Sequence, residues 1–132
     1  MKYLKVVEIE NTECVPHDEL KAMKEVLYEF IDYLIKRMHL RKGQFLKCKA
    51  RMEYWQGKWH MHVVFSRFSG TLSEPGMELS TTNKISNGPI GAVIIGKNIF
   101  QEIDMYFDYC PVEMSLKKLA RWIVQELKYG LN

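Results

Sequence analysis

The stretch RMEYWQGKWHMHVVF, residues 51–65, decides the fold that the sequence predicts. Gly57 follows the polar residue Gln56 between two runs of alternating residues, a pattern typical of a tight β-hairpin turn. With these two residues as the turn, Glu53 on the first strand lies directly opposite His60 on the second. The stretch therefore predicts a pair of antiparallel strands with a fixed register.

Side chains alternate between the two faces of these strands, which we expect at about residues 44–55 and 58–66. One face is apolar and should belong to the core; it carries Leu46, Cys48, Ala50, Met52, Tyr54, Trp59, Met61, Val63 and Phe65. The other face carries Lys47, Lys49, Arg51, Glu53, His60 and His62. Side chains that are opposed or diagonal across two strands lie roughly 5–7 Å apart, so the carboxylate and the two imidazoles suit one small cation.

Two amphipathic helices are predicted on either side of this hairpin. Apolar residues recur at helical spacing over about residues 17–41, and Gly43 is placed to end that helix. Ser115 can cap a final helix that reaches about Tyr129. One stripe of the final helix is expected to look across the sheet edge toward the histidines.

Further strands are expected at residues 2–9 and in the apolar run IGAVII, residues 90–95. Residues 98–109 fit either one strand or a helical turn followed by a shorter strand. Residues 67–90 are rich in turn-forming residues and predict a long loop. The chain of 132 residues is thus expected to form a single α+β domain, an antiparallel sheet of four or five strands with two main helices packed on it.

The composition indicates a globular protein, because 27% of the residues are charged and 47% are hydrophobic. No apolar run approaches the roughly 18 residues that a membrane span needs. The net charge of +3 is too small to identify a nucleic-acid partner by itself. Three widely separated cysteines, Cys14, Cys48 and Cys110, fit reduced thiols, and we expect a cytoplasmic protein.

Glu53, His60 and His62, with a hydrophobic residue between the histidines and an amphipathic helix further on, resemble the HUH endonucleases. These are the rolling-circle replication initiators (Rep proteins), the relaxases and related transposases. The resemblance implies that the three residues bind a divalent ion, Mn²⁺ or Mg²⁺, although two imidazole ligands suit a transition metal better than Mg²⁺. It also implies the ferredoxin-like or RRM-like arrangement of the HUH sheet.

The final helix resembles the third motif of that family, a helix in which a tyrosine is followed by a lysine. Trp122 stands where the nucleophilic tyrosine is expected. Tyr129 lies two helical turns further along the same stripe, without a lysine after it. The resemblance leaves Tyr129 as the candidate nucleophile, with Tyr106 and Tyr109 as alternatives.

The function that the resemblance implies is metal-dependent nicking and joining of single-stranded DNA. The residues expected to bind that strand are the cations Lys47, Lys49, Arg51 and Lys58, which would contact its backbone, and Trp55, which would stack on a base. The same cations also fit a plain solvated face. Two other functions stay open: a degenerate HUH-like fold that binds nucleic acid or a protein, and a metal-dependent phosphoesterase that uses water as its nucleophile.

Overall fold

The computed structural model describes residues 5–41, 43–69, 83–84, 90–103, 110–112 and 115–129. In these residues the chain forms one mixed sheet and two helices, which confirms the α+β fold. In chain order the elements are β1 (Lys5–Glu10), α1 (His17–Met38), β2 (Gln44–Trp55), β3 (Lys58–Ser69), β4 (Asn83–Lys84), β5 (Ile90–Ile95), β6 (Asn98–Ile103), β7 (Cys110–Val112) and α2 (Leu116–Tyr129).

The strands lie in the order β1-β2-β3-β5-β6-β7, and the short strand β4 pairs with the end of β3. β1 is parallel to β2, and the other pairs are antiparallel. In a ferredoxin-like domain the βαβ unit is split by an intervening strand. Here β1 and β2 are direct neighbours. The strand order therefore differs from the ferredoxin-like order that the resemblance implies.

The central hairpin has the predicted register, since Glu53 pairs with His60 and Trp55 pairs with Lys58. Its turn residues have positive φ angles, 49° at Gln56 and 77° at Gly57. Positive φ at both central residues is what a type I′ turn requires, and this turn matches the twist of the two strands. The hairpin therefore forms for the local reason that the sequence indicates.

Both helices pack on the same face of the sheet, which we call the helix face. The core there joins the apolar stripes of the helices to alternate strand residues, including Leu27, Phe30, Ile31, Leu34, Cys48, Met61, Val63, Phe65, Ala92, Ile94, Leu119 and Ile123. Tyr54 was predicted for this core, but it is 62% exposed. It lies on the part of the hairpin that projects past the last paired residue of β1, Glu10, which is opposite Arg51.

The helix ends are set by local backbone chemistry. α1 ends at Met38, earlier than predicted, because His39 adopts the left-handed conformation (φ 49°) that ends many helices and that was assigned to Gly43. Ser115 caps α2 as predicted, and its Oγ accepts a hydrogen bond from the Lys118 backbone N–H at 3.3 Å.

The second half of the sheet was only partly predicted. The apolar run forms β5 as expected, and Gly96 (φ 61°) turns the chain into β6. For residues 98–109 the strand alternative is correct as far as Ile103, while 104–109 lie outside the described residues. The expected loop at 67–90 includes the end of β3 and all of β4; residues 70–82 and 85–89 lie outside the described residues.

The two cysteines whose side chains are described are free thiols, Cys14 exposed and Cys48 buried. Burial in the core raises the pKa of the Cys48 thiol far above its usual range. Of the helices in the described part of the chain, none is both long enough and apolar enough to cross a membrane.

Candidate nucleic-acid interface

The second face of the sheet, which we call the histidine face, holds the side chains predicted to bind DNA and metal. It is formed by the strand positions that alternate with the core positions, as the hairpin register requires. From β2 and β3 it receives Lys47, Lys49, Arg51, Glu53, Trp55, Lys58, His60 and His62. The backbone thus brings all the strand residues predicted for the site to one surface.

Glu53 contacts the diagonal histidine instead of the one directly opposite. Its Oε2 lies 3.4 Å from His62 Nε2, and its Oε1 lies 3.7 Å from Arg51 Nε. Because Glu53 is about half exposed, its contacts with Arg51 and His62 are screened by solvent and stabilise the fold only weakly. The carboxylate is therefore able to exchange these partners for a ligand.

His60 is almost fully buried, with 4% of its surface exposed, although it lies on the face predicted to be charged. Its Nδ1 lies 3.0 Å from the Lys58 carbonyl oxygen. A carbonyl oxygen only accepts hydrogen bonds, so this contact favours the tautomer in which Nδ1 carries the proton and Nε2 keeps its lone pair. Trp55 covers the ring edge-on, with ring centroids 5.8 Å apart.

The predicted metal ligands share a face but do not converge on one point. The rings of His60 and His62 are nearly parallel, at 15°, and their centroids are 6.1 Å apart. Two imidazoles that bind one ion place their nitrogens about 2 Å from it. Among the described residues, no three His, Cys, Asp or Glu side chains are arranged to share a metal ion. The site formed by Glu53, His60 and His62 therefore stays a prediction.

A row of cations follows β2 beside the histidines. Lys49 Nζ lies 3.3 Å from Glu10 Oε1 on β1, and the Lys47 ammonium lies 5.6 Å from the centre of the Phe68 ring. At the hairpin tip the row ends with Trp55, which is 46% exposed, and Lys58 across from it. The row joins positive charge to an exposed aromatic ring on one surface.

The helix that carries the candidate nucleophile packs on the helix face, not toward the histidines. Leu119, Ala120, Ile123 and Leu127 are buried in the core beside α1, and Trp122 packs against the same core. Trp122, which belongs to the stripe expected to look toward the histidine face, thus lies against the helix-face core instead. Tyr129 is the last residue of α2, while Tyr106 and Tyr109 lie outside the described residues.

Sequence reasoning missed that the histidine face is partly apolar. Phe45 and Phe68 stack there with ring centroids 5.7 Å apart, and Val93 on β5 is fully buried. One signal was present for Val93, because a run that is apolar at every position predicts a strand buried on both faces. Phe68 escaped notice because β3 continues past its predicted end at residue 66.

A cleft of about 1250 Å³ lies at the projecting end of the hairpin. Its walls come from the first turn of α1, the β2–β3 turn and the β5–β6 turn. His60 also lines this cleft, so the cleft opens beside the histidine face. No local sequence pattern indicates the cleft, because three elements that are distant in the chain form it.

The chain matches no known family model, no curated protein and no solved structure. The likeness to HUH endonucleases therefore stays a hypothesis based on Glu53, His60 and His62 and on the final helix.

Proposed function

We propose that this protein binds single-stranded DNA along the histidine face of its sheet. The observation that carries this proposal is the row of Lys47, Lys49 and Arg51 on β2, which leads to Trp55 and Lys58 at the hairpin tip. Same-face residues are roughly 7 Å apart along a strand. The row therefore offers cations at regular steps to a phosphate backbone, followed by a ring on which a base can stack.

The ion pairs along the row are compatible with this function. Lys49 and Glu10 are both more than half exposed, and Arg51 is 61% exposed beside Glu53. Exposed pairs of this kind contribute about 0–1 kcal/mol to stability, so a phosphate competes with the carboxylate at low cost. The carboxylates also keep the face from carrying a large positive charge in the absence of DNA.

Binding is favoured over nicking because α2 packs on the helix face. A tyrosine nucleophile and the metal must meet at the same phosphate. The helix that ends at Tyr129 lies on one side of the sheet, and His60 and His62 lie on the other. Backbone contacts and stacking on the histidine face require no group from α2.

The first expected result is a salt-dependent affinity for (dT)20. Contacts of Lys47, Lys49 and Arg51 with one phosphate each give a slope of about −2 in log K against log salt, so the affinity should fall roughly 20-fold between 50 and 200 mM salt. Replacing Lys47 and Lys49 with Ala should make the slope shallower by about 1.4 and weaken binding. Fluorescence anisotropy with a labelled oligonucleotide measures both quantities.

A matched control is the replacement of Lys21 and Lys36, two exposed lysines of α1, with Ala. This variant loses the same net charge but leaves the histidine face intact, so its slope should equal that of the wild type. Circular dichroism checks that both variants are folded. If both variants lose the same affinity for (dT)20, DNA binding depends on net charge alone, and the proposed surface is wrong.

The second candidate function is metal-dependent cleavage of the bound strand, as nicking by a tyrosine or as hydrolysis by water. One contact favours it, the 3.4 Å approach of Glu53 to His62 beside a second histidine, His60. These residues would bind the ion after the Glu53 carboxylate and the two rings turn toward each other. A bound divalent ion would supply charge stabilisation at the phosphate.

Incubation with Mn²⁺ and single-stranded oligonucleotides, followed by a denaturing gel, separates these functions. A covalent adduct that disappears in Tyr129→Phe indicates nicking and joining, and cleavage without an adduct indicates a water nucleophile. Loss of either product in His62→Ala ties the reaction to the histidine face. Binding without cleavage leaves the DNA-binding function alone.

A further inference from the structure

The cleft at the hairpin end holds three kinds of side chain that together match one nucleotide. The β2–β3 hairpin projects two residue pairs, Tyr54 with Trp59 and Trp55 with Lys58, beyond the point where His60 pairs with Ile95 of β5. The projecting pairs form one wall of the cleft, and the first turn of α1 and the β5–β6 turn form the other walls. The cleft volume of about 1250 Å³ is ample for a nucleotide.

Aromatic rings form one part of the wall. Tyr54 and Trp59 meet edge to face, with ring centroids 5.1 Å apart and an angle of 64° between the ring planes. Tyr54 keeps 62% of its surface exposed, and both residues line the cleft. The exposed surface of the Tyr54 ring is therefore open to stacking by an unpaired base.

Charged groups of both signs form the rest of the wall. Asp18 and Glu19 line the cleft from the first turn of α1, and Lys58 and Lys97 line it from the two turns. The helix dipole stabilises these two carboxylates in the first turn of α1 whether or not a ligand is bound. A ligand that satisfies the whole set needs hydrogen-bond donors for the acids, a negative charge for the lysines and a flat apolar face for the rings.

We propose that the cleft binds one unpaired nucleotide of the DNA strand and prefers guanine. The base would stack on Tyr54 or Trp59, and its phosphate would meet Lys58 or Lys97. Guanine carries two adjacent N–H donors on its Watson–Crick edge, which one carboxylate of Asp18 or Glu19 accepts together. This inference rests on the proposed function, because the DNA strand that binds along the histidine face would enter the cleft beside His60, one of the residues that line it.

The test compares four labelled oligonucleotides, (dT)12 and the same strand with one central dG, dA or dC. We expect the dG strand to bind the wild type roughly tenfold more tightly than (dT)12, within the range for one bidentate base contact. The preference should fall to less than about twofold in a variant with Asp18→Asn and Glu19→Gln. A variant with Glu25→Gln and Glu29→Gln, exposed on the same helix but outside the cleft, should keep it.

Each other outcome separates this inference from the proposed function. If all four strands bind with equal affinity, or if both double variants keep the dG preference, the cleft does not read a base, although DNA binding on the histidine face stands. If no strand binds, the proposed function fails, and guanosine monophosphate alone then tests the cleft through quenching of tryptophan fluorescence. The proposed cleft is supported if guanosine monophosphate quenches the fluorescence, thymidine monophosphate does not, and the variant with Asp18→Asn and Glu19→Gln shows no quenching. If guanosine monophosphate does not quench the fluorescence of the wild type, the proposal is wrong.

Discussion

Replacing Phe65 with Ala is expected to lower the free energy of unfolding by about 3–5 kcal/mol, the usual cost of a large-to-small change in a packed core. Phe65 is fully buried on the helix face of β3, and its ring meets Phe30 of α1 at 5.9 Å and 59°. The lost side chain would leave a cavity between the long helix and the central strand. Urea unfolding followed by far-UV circular dichroism measures the change.

The matched control is Val64→Ala, one residue away on the histidine face. Val64 is 37% exposed, so its truncation should change the free energy of unfolding by only about 0.5 kcal/mol. The comparison tests the register of β3, because a shift of one residue exchanges the two faces of a strand. A larger loss of stability in Val64→Ala than in Phe65→Ala would contradict this register and would place His60 and His62 on the helix face.

The hairpin was predictable because every signal for it is local. Alternation along the two strands assigns each residue to a face, and the Gln56-Gly57 turn sets which residues are opposed. The register of twelve residue pairs follows from these two features. The ends of α1 were less predictable, since His39 takes the left-handed conformation four residues before the glycine that is better suited to it.

The sequence predicts which backbone positions the candidate site uses, but not which side chains contact one another there. The pattern places Glu53 opposite His60, but the side-chain torsions carry the carboxylate to His62 instead. The burial of His60 depends on Trp55 and on its hydrogen bond to the Lys58 carbonyl, and the face assignment predicts neither contact. Geometry of this kind depends on rotamers, which a two-residue period does not determine.

The position of α2 shows why a nucleophile cannot be assigned from spacing alone. Its apolar stripe, which includes Leu119, Ile123 and Leu127, packs in the core as its composition predicts, but the spacing does not determine which face of the sheet receives it. The choice is made by contacts with α1 and with residues of β3, β5 and β6, which are distant in the sequence. The cleft at the hairpin end depends on the same long-range arrangement, so it appears only when the elements are assembled.

Replacing Gly57 with Val is expected to destabilise the protein by about 1–3 kcal/mol through backbone strain. Gly57 has a φ of 77°, a conformation that β-branched residues rarely adopt, yet an added Cβ would have no heavy atom within 4 Å. The Cβ itself therefore meets no neighbouring atom, and the expected cost comes from the backbone conformation. Gly57→Asn should cost less than half as much, because asparagine tolerates the left-handed region.

The same substitution should also weaken DNA binding more than its effect on stability implies. A strained turn would no longer match the twist of the strands, so Trp55 and Lys58, which flank it, would lose their fixed positions at the end of the cation row. We expect Gly57→Val to weaken binding of (dT)20 at a temperature where circular dichroism shows it fully folded, and Gly57→Asn to bind like the wild type. If both variants bind (dT)20 equally well, the hairpin tip is not part of the interface, and the bound strand is restricted to the lysines and arginine of β2.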